Sequence, residues 1–409
     1  MKICLLTYRG NPFCGGQGVY TAALGQALAR RGHEVHCITG PPYSPPVEGV
    51  TWHRVPGLNL ADGNGGPTPP PLPLTAFAPL NLYDRAASRL GFFPEMASFS
   101  LRAFFKVREL LTRVNFDVIH DNQTLGWGLL PLMALGVPLV ATIHHPLTVD
   151  RERGFDPPGR FADRLAKVLF HPVLMQGFVA RRLPYIVTVS QASQRRIIAD
   201  FRVAPERLRV VPNGVDSTLF RPRPHIARVP GRVLWVGNLE DPNKGGRYLL
   251  RAAPLLREGA RLVIATGGLS RRSWAQGLLA DPEIARRVDF RFHLGAAELA
   301  ELYNSAEVAV CSSLFEGFGF PAAEAMSSGL PLVAAQGGAL EEVVDHAGVL
   351  VPRADPAALA QAVNTLLDAP ERRAALGRAG RERVLECFQW DHAAREVEAV
   401  YGESIRAHG

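Results

Sequence analysis

Cysteine is scarce in this chain of 409 residues: Cys4, Cys14, Cys37, Cys311 and Cys387 are scattered and form no Cys-x-x-Cys pair. That excludes a disulfide framework or a thiolate zinc site and suits a reducing compartment. Cys14 adjoins a glycine-rich loop and reads as a small buried thiol. Long apolar runs are missing too. The most apolar stretch, Leu129–Ile143, is broken by Pro131, Gly136 and Pro138, so it reads as helix end, turn and strand rather than a membrane span. Met1–Tyr8 is too short for the apolar core of a signal peptide and reads as a first strand. The expected location is therefore the cytoplasm. No Gly-x-Gly-x-x-Gly spacing occurs after that strand, and the second strand ends in Thr39-Gly40 where a nicotinamide site needs an acid. An NAD dehydrogenase is disfavoured on both counts. No aromatic RNA-binding motif accompanies the basic residues, so nucleic acid is the weakest partner.

What remains is a globular composition, 47% hydrophobic and 20% charged, in a chain long enough for two large cores. The net charge is +7, and the stretch from Arg151 to Arg209 holds twelve Lys/Arg against five Asp/Glu, matching the whole imbalance. Such a region can meet anionic lipid at the inner membrane face or a phosphorylated acceptor, or it can be a solvated arginine-rich surface.

The first half alternates strand and helix patterns. Ile3–Tyr8, Val35–Thr39, Val118–His120, Leu139–His144, Ile186–Ser190 and Leu208–Val211 fit strands, and Val19–Arg31 fits an amphipathic helix stopped by Gly32. A Pro-, Gly- and Asn-rich loop is expected over 56–81. Beyond it, the Phe92–Leu111 stripe reads as core before it reads as a membrane-facing surface. After the linker Arg221–Gly231 the alternation resumes. Strands fit Arg232–Val236, Leu262–Ala265, Phe290–His293, Val308–Cys311 and Leu332–Ala335, with a helix over Arg247–Arg257. The pattern predicts two α/β domains with parallel sheets, 1–220 and 221–390, and a ligand cleft at the carboxyl ends of the strands.

The most informative segment is Glu316-Gly317-Phe318-Gly319-Phe320-Pro321-Ala322-Ala323-Glu324, which follows the strand Val308–Cys311. Pro321 suits the first helical position and Gly329 the position just past the end. Gly317 and Gly319 allow close backbone approach, and helix-start amides attract an anion such as phosphate. Carboxylates repel phosphate, so Glu316 and Glu324 are expected to accept hydrogen bonds from hydroxyls. An anion site flanked by two hydroxyl acceptors describes a nucleotide-sugar. Lys244, in the turn after the first strand of the second half, can bring a positive charge to a departing diphosphate. Gly15-Gly16-Gln17-Gly18 is either a ligand loop or a tight turn. His120, His144 and His145 end strands on the expected cleft side, where each can bind a sugar hydroxyl or serve a structural role. With no acidic Asp-x-Asp pair, no metal and no other cofactor is expected; Lys244 and the helix amides would neutralise the leaving group.

The Glu-x7-Glu segment resembles the signature of the family four (group 1) retaining glycosyltransferases, and the resemblance covers nearly the whole chain, most strongly from Arg232 to Leu359. It implies a GT-B fold of two Rossmann-like domains, with the terminal helix (391–409) returning to the first. It also implies transfer of a sugar, with retention, from a UDP- or GDP-sugar to a hydroxyl of a carbohydrate, lipid-linked or small-molecule acceptor. Gly15 and Gly16 match the family's Gly-Gly-x-Gly loop near the donor diphosphate. His120 matches its Asp-Val-Ile-His run, Val211–Asp216 its Pro-Asn-Gly-Val-Asp stretch before the hinge, and Gly337-Gly338 its downstream glycine turn. The chain departs from the family at Asn238, where Arg is usual; Asn donates neutral hydrogen bonds but cannot neutralise charge. The resemblance thus assigns Lys244, Glu316 and His120 to catalysis. It gives donor binding to Gly15, Gly16, Asn238, Lys244, Glu316, Gly317, Phe318, Gly319, Phe320 and Glu324, with Glu324 on the ribose diol and Glu316 on sugar hydroxyls. A sugar-nucleotide epimerase or hydrolase of the same architecture, or a non-catalytic binder, remains as the alternative.

Overall fold

The computed structural model describes residues 1–10, 16–43, 45–58, 79–89, 93–153, 172–270 and 273–409. Cys14, Gly15 and Phe92 lie outside these residues, as do most of the loop expected over 56–81 and the middle of the basic stretch. The chain divides into two compact units, Met1–Pro212 with Trp390–Gly409, and Asn213–Gln389. The division falls before the 220/221 position read from the sequence, because Asn213–Phe220 bonds to the second unit: Arg381 Nη1 donates to the carbonyls of Ser217 and Phe220 at 3.1 and 3.0 Å.

In the first unit the strands are β1 (Lys2–Thr7), β2 (Glu34–Thr39), β3 (Val50–Arg54), β4 (Val118–Asn122), β5 (Leu139–Ile143), β6 (Tyr185–Thr188) and β7 (Leu208–Val210). They pair in parallel in the order β3-β2-β1-β4-β5-β6-β7. Both faces of such a sheet are covered by helices, so its central strands are buried on both faces, and β4 and β5 are buried at every position. β3, a half-exposed edge strand of mixed polarity, lacks the apolar run that marked the others. The helix Pro79–Arg89 begins within the span expected to be loop. The Phe stripe divides: Phe99 is buried and Phe104 and Leu111 pack partly buried against the core, while Phe93 and Phe105 are exposed.

The helix Trp390–His408 packs on the first unit. Its buried residues Trp390, Ala393, Ala394, Val397, Val400, Tyr401 and Ser404 recur every three or four positions and form one stripe. Arg30–Asp391 and Arg31–Glu398 ion pairs, at 3.1 and 2.6 Å, flank that stripe against the helix Gly16–Arg30. No helix among the described residues is long and apolar enough to cross a membrane.

The second unit holds β8 (Arg232–Val236), β9 (Arg261–Thr266), β10 (Val288–Phe292), β11 (Val308–Cys311), β12 (Leu332–Ala335) and β13 (Val349–Val351). They are parallel in the order β10-β9-β8-β11-β12-β13. Strand order reverses between β8 and β11, and the loops leaving their carboxyl ends form the crevice where α/β sheets bind ligands. The helix expected over Arg247–Arg257 is shorter, Gly246–Ala252 followed by a 3-10 turn Ala253–Leu255, because Pro254 lacks the amide a longer helix needs.

Candidate active site

The loop after β8 carries Lys244 and the loop after β11 carries Glu316, so the reversal point brings them together. Lys244 Nζ lies 2.8 Å from Glu316 Oε1, with the lysine side chain 26% exposed and the glutamate 9%. Neighbouring backbone fixes both. The Ser312 hydroxyl donates to the Lys244 carbonyl at 2.9 Å, and the Trp235 indole donates to Ser312 Oγ at 3.0 Å. The Leu314 amide donates to the Asn243 carbonyl at 2.7 Å. Gly245 closes this contact: at φ +66° it lies so near Ser312 that a Cβ would meet the Ser312 carbonyl oxygen at 1.9 Å. Any side chain there would push Lys244 off the β11 loop.

Glu316 is held through its backbone by the Gly337-Gly338 turn. Its amide donates to the Gly337 carbonyl at 3.2 Å, and its carbonyl accepts from the Ala339 amide at 2.9 Å. The Ser313 hydroxyl donates to Glu316 Oε1 at 2.7 Å, so this oxygen takes two donors. Burial pushes the Lys244 ammonium down, but the carboxylates of Glu316 and Asp241 outweigh it and hold the lysine charged, well above its ordinary value. A cation on a fixed loop at a strand end is the arrangement that stabilises charge appearing on a leaving group.

The helix Phe320–Ser327 then starts from Gly319 at φ +95°, a conformation costly for any residue with a Cβ. Pro321 stands at the second helical position, one later than read from the sequence. The stop is a Schellman arrangement: Gly329 N–H donates to Met326 O and Leu330 N–H to Ala325 O, both at 3.0 Å, with Gly329 at φ +69°. Phe318 is buried and meets Phe320 and Phe388 edge-on. Glu324 is partly buried on this helix and accepts a hydrogen bond from the Tyr303 hydroxyl at 3.0 Å. Burial pushes its carboxyl up to about 7, the tyrosine bond opposing that rise. Tyr303 was missed in the sequence; a buried tyrosine in the helix leading into β11 was the available signal.

Asn238 is exposed, and its Oδ1 accepts from the Glu240 amide at 3.1 Å, shaping its own turn. Among the described residues no group of three or more His, Cys, Asp or Glu is placed to hold a metal ion.

The first unit treats its histidines differently. His120 is 1% exposed, and both ring nitrogens are engaged: Nδ1 with Tyr401 Oη at 2.5 Å and Nε2 with Thr142 Oγ1 at 2.7 Å. Burial drives its pKa down to about 3, so it is neutral. This geometry ties the terminal helix to β4 and β5, and leaves His120 no nitrogen for a substrate, in contrast to the catalytic place the motif assigns it. His144, also neutral by burial, bonds Asn122 Oδ1 at 2.8 Å. Asn122 in turn donates to the Gln17 carbonyl at 3.0 Å, fixing the start of the helix Gly16–Arg30. Gly16 begins that helix. The described part of the basic stretch is extensively bonded. Arg196 pairs with Glu152 and Asp200, Arg209 pairs with Glu403, and Arg181 and Arg207 donate to backbone carbonyls.

Two parallel α/β sheets and a Lys–Glu pair at a strand reversal define the class of fold, and comparison with known proteins narrows it. The profile of the Glycosyltransferase Family 4 matches residues 14–219, and that of the Glycosyl transferases group 1 matches 230–369. The MMP alpha-(1->4)-mannosyltransferase of Mycolicibacterium hassiacum is 41% identical over 99% of this chain and 98% of its own. The D-inositol 3-phosphate glycosyltransferase of Thermobispora bispora is 32% identical over 98% and 92%. Among solved structures, the sucrose-phosphate synthase of Thermosynechococcus elongatus superposes with a TM-score of 0.77 at 23% identity over 99% of both chains. The chain belongs to family 4 of the glycosyltransferases (group 1) and has the GT-B fold.

Proposed function

We propose that the protein is a retaining, metal-independent hexosyltransferase that takes its sugar from a nucleotide-sugar, UDP- or GDP-linked, and passes it to a hydroxyl of a carbohydrate, lipid-linked or small-molecule acceptor. The 2.8 Å Lys244–Glu316 pair at the β8/β11 reversal carries this reading. It puts a phosphate-seeking cation and a hydroxyl-seeking carboxylate side by side, one turn from the helix that bears Glu324. Lys244 and the helix start at Gly319–Phe320 receive the donor diphosphate, with Gly317 and Phe318 shaping their approach. Glu324 accepts from the ribose diol and Glu316 from sugar hydroxyls. Asn238 supplies at most neutral hydrogen bonds. The alpha-(1->4)-mannosyltransferase at 41% identity favours mannose as the sugar transferred.

In the reaction the acceptor oxygen bonds to the anomeric carbon on the face the diphosphate leaves. The anomeric carbon–oxygen bond to phosphate breaks, and the acceptor's hydroxyl proton passes to the departing phosphate oxygen. Lys244 stabilises the charge that accumulates there. Peripheral contact of the basic first unit with an anionic membrane is part of this proposal.

The reading is tested by incubating the purified protein with UDP-, GDP- and ADP-sugars and an oligomannoside. The expected outcome is consumption of one donor that depends on the acceptor, undiminished by EDTA, with the anomeric configuration kept. Nucleotide release without acceptor would instead mean a hydrolase, and inversion would remove the proposed mechanism.

A further inference from the structure

We propose that Tyr303 is a positioning residue for donor binding: its buried hydroxyl fixes the Glu324 carboxylate so that the remaining oxygen faces the ribose hydroxyls. This rests on the assignment of Glu324 to the ribose diol.

Tyr303 is 1% exposed on the helix Ala296–Ser305, and its ring stands edge-on to Phe220 at 5.7 Å, so the phenol has one direction in which to point. Its oxygen lies 3.0 Å from Glu324 Oε2 and 3.3 Å from the Pro321 carbonyl oxygen. A phenol has a single proton, and the shorter, charge-assisted bond to the carboxylate claims it. One hydroxyl therefore touches both the first turn of the helix Phe320–Ser327 and the acid that follows it. A glutamate side chain has three free torsions; with Oε2 anchored, Oε1 is left to accept from a ligand without a search among rotamers.

The same bond favours the ionised form of Glu324 against a burial that raises its pKa. Cys311 on β11 bears on Tyr303, and Lys244 and Glu316 bear on Cys311, whose thiol burial holds up at about 11 and so protonated. Removing the Tyr303 proton donor moves the Glu324 titration to higher pH, and nucleotide binding that needs the carboxylate moves with it.

The test is calorimetric titration of the full-length protein with GDP and UDP between about pH 6 and 9. The proteins are the unaltered chain, Tyr303→Phe, Glu324→Gln and the double variant, with thermal midpoints measured alongside. Phenylalanine keeps the ring against Phe220. The inference expects Tyr303→Phe to weaken nucleotide binding roughly ten-fold near neutral pH and to shift the acid limb of binding upward. It also expects no further weakening when Tyr303→Phe is combined with Glu324→Gln. Unchanged affinity and an unmoved acid limb in Tyr303→Phe, or equal weakening with and without Glu324, would overturn the inference. Full affinity in Glu324→Gln would overturn the ribose assignment beneath it instead.

Discussion

The two units share a strand order, with the reversal between β1 and β4 in one and between β8 and β11 in the other, yet they use that position in opposite ways. In the first unit the strand ends carry His120, Asn122 and His144, and these side chains bond to one another, to Thr142 and to Tyr401. Their histidines are neutral and buried. In the second unit the strand ends lead into loops that carry the part-exposed Lys244 and the buried Glu316, both set by backbone bonds from neighbouring segments. A polar residue at a reversal point is thus a ligand group only when its own bonds leave an atom unspent. The first unit spends its polar atoms on holding the terminal helix; the second keeps charge available.

That contrast can be broken. The largest effect belongs to Lys244: Lys244→Ala should lower kcat about 100- to 1000-fold in a donor-consumption assay, the usual cost of losing a transition-state charge partner. A loss below about five-fold would remove the second unit's charge from the chemistry. His120 should answer the other way. His120→Ala opens a cavity and strips Tyr401 and Thr142 of their partner, costing about 2–4 kcal/mol in urea unfolding, while kcat measured below the transition changes little. A collapse of kcat with stability intact would return His120 to the reaction.

Glu324→Ala should come next, weakening nucleotide affinity about ten-fold, since a charge-assisted hydrogen bond is lost. The unaltered protein should lose nucleotide affinity as pH falls through about 7, where the Glu324 carboxylate takes up a proton. The stability consequence has the opposite sign. Glu324 titrates from an ordinary value of 4.5 up to about 7, so over that window the native state holds the proton the unfolded chain has released. Stability contributed by this group is then greatest at the acid end and declines as pH rises toward 7, and Glu324→Gln should flatten the slope. Asn238→Arg should have the smallest effect. It adds a cation on the loop proposed to meet the diphosphate but gives up the 3.1 Å bond from the Glu240 amide that shapes the turn, so donor KM is expected to fall only about three-fold.

The difference between the units also explains which features could be read from the chain. Glu316, Glu324 and Lys244 stand among glycines and a proline whose conformational demands mark loops and helix ends, so their neighbourhood announces itself. The two parallel sheets follow from apolar runs in the same way. What failed to show was whatever depends on a partner far away in sequence. His120 sits in a run that looks like a ligand motif, and only Tyr401, on the terminal helix, reveals that its nitrogens are taken. Tyr303 reads as one more apolar position of an amphipathic helix until Glu324 is seen 3.0 Å from its hydroxyl. β3 was hidden for a local reason: Thr51, His53 and Arg54 on an exposed edge break the buried pattern that betrayed its neighbours.

The central claim, that the second unit grips the nucleotide while the first unit's histidine network only braces the fold, is tested most directly by titrating GDP and UDP into the full-length protein and into Lys244→Ala, Glu324→Gln and His120→Gln. The account predicts that the first two substitutions weaken binding about ten-fold or more and that His120→Gln leaves the dissociation constant unchanged. Loss of binding in His120→Gln, with Lys244→Ala and Glu324→Gln binding as tightly as the unaltered chain, would contradict it.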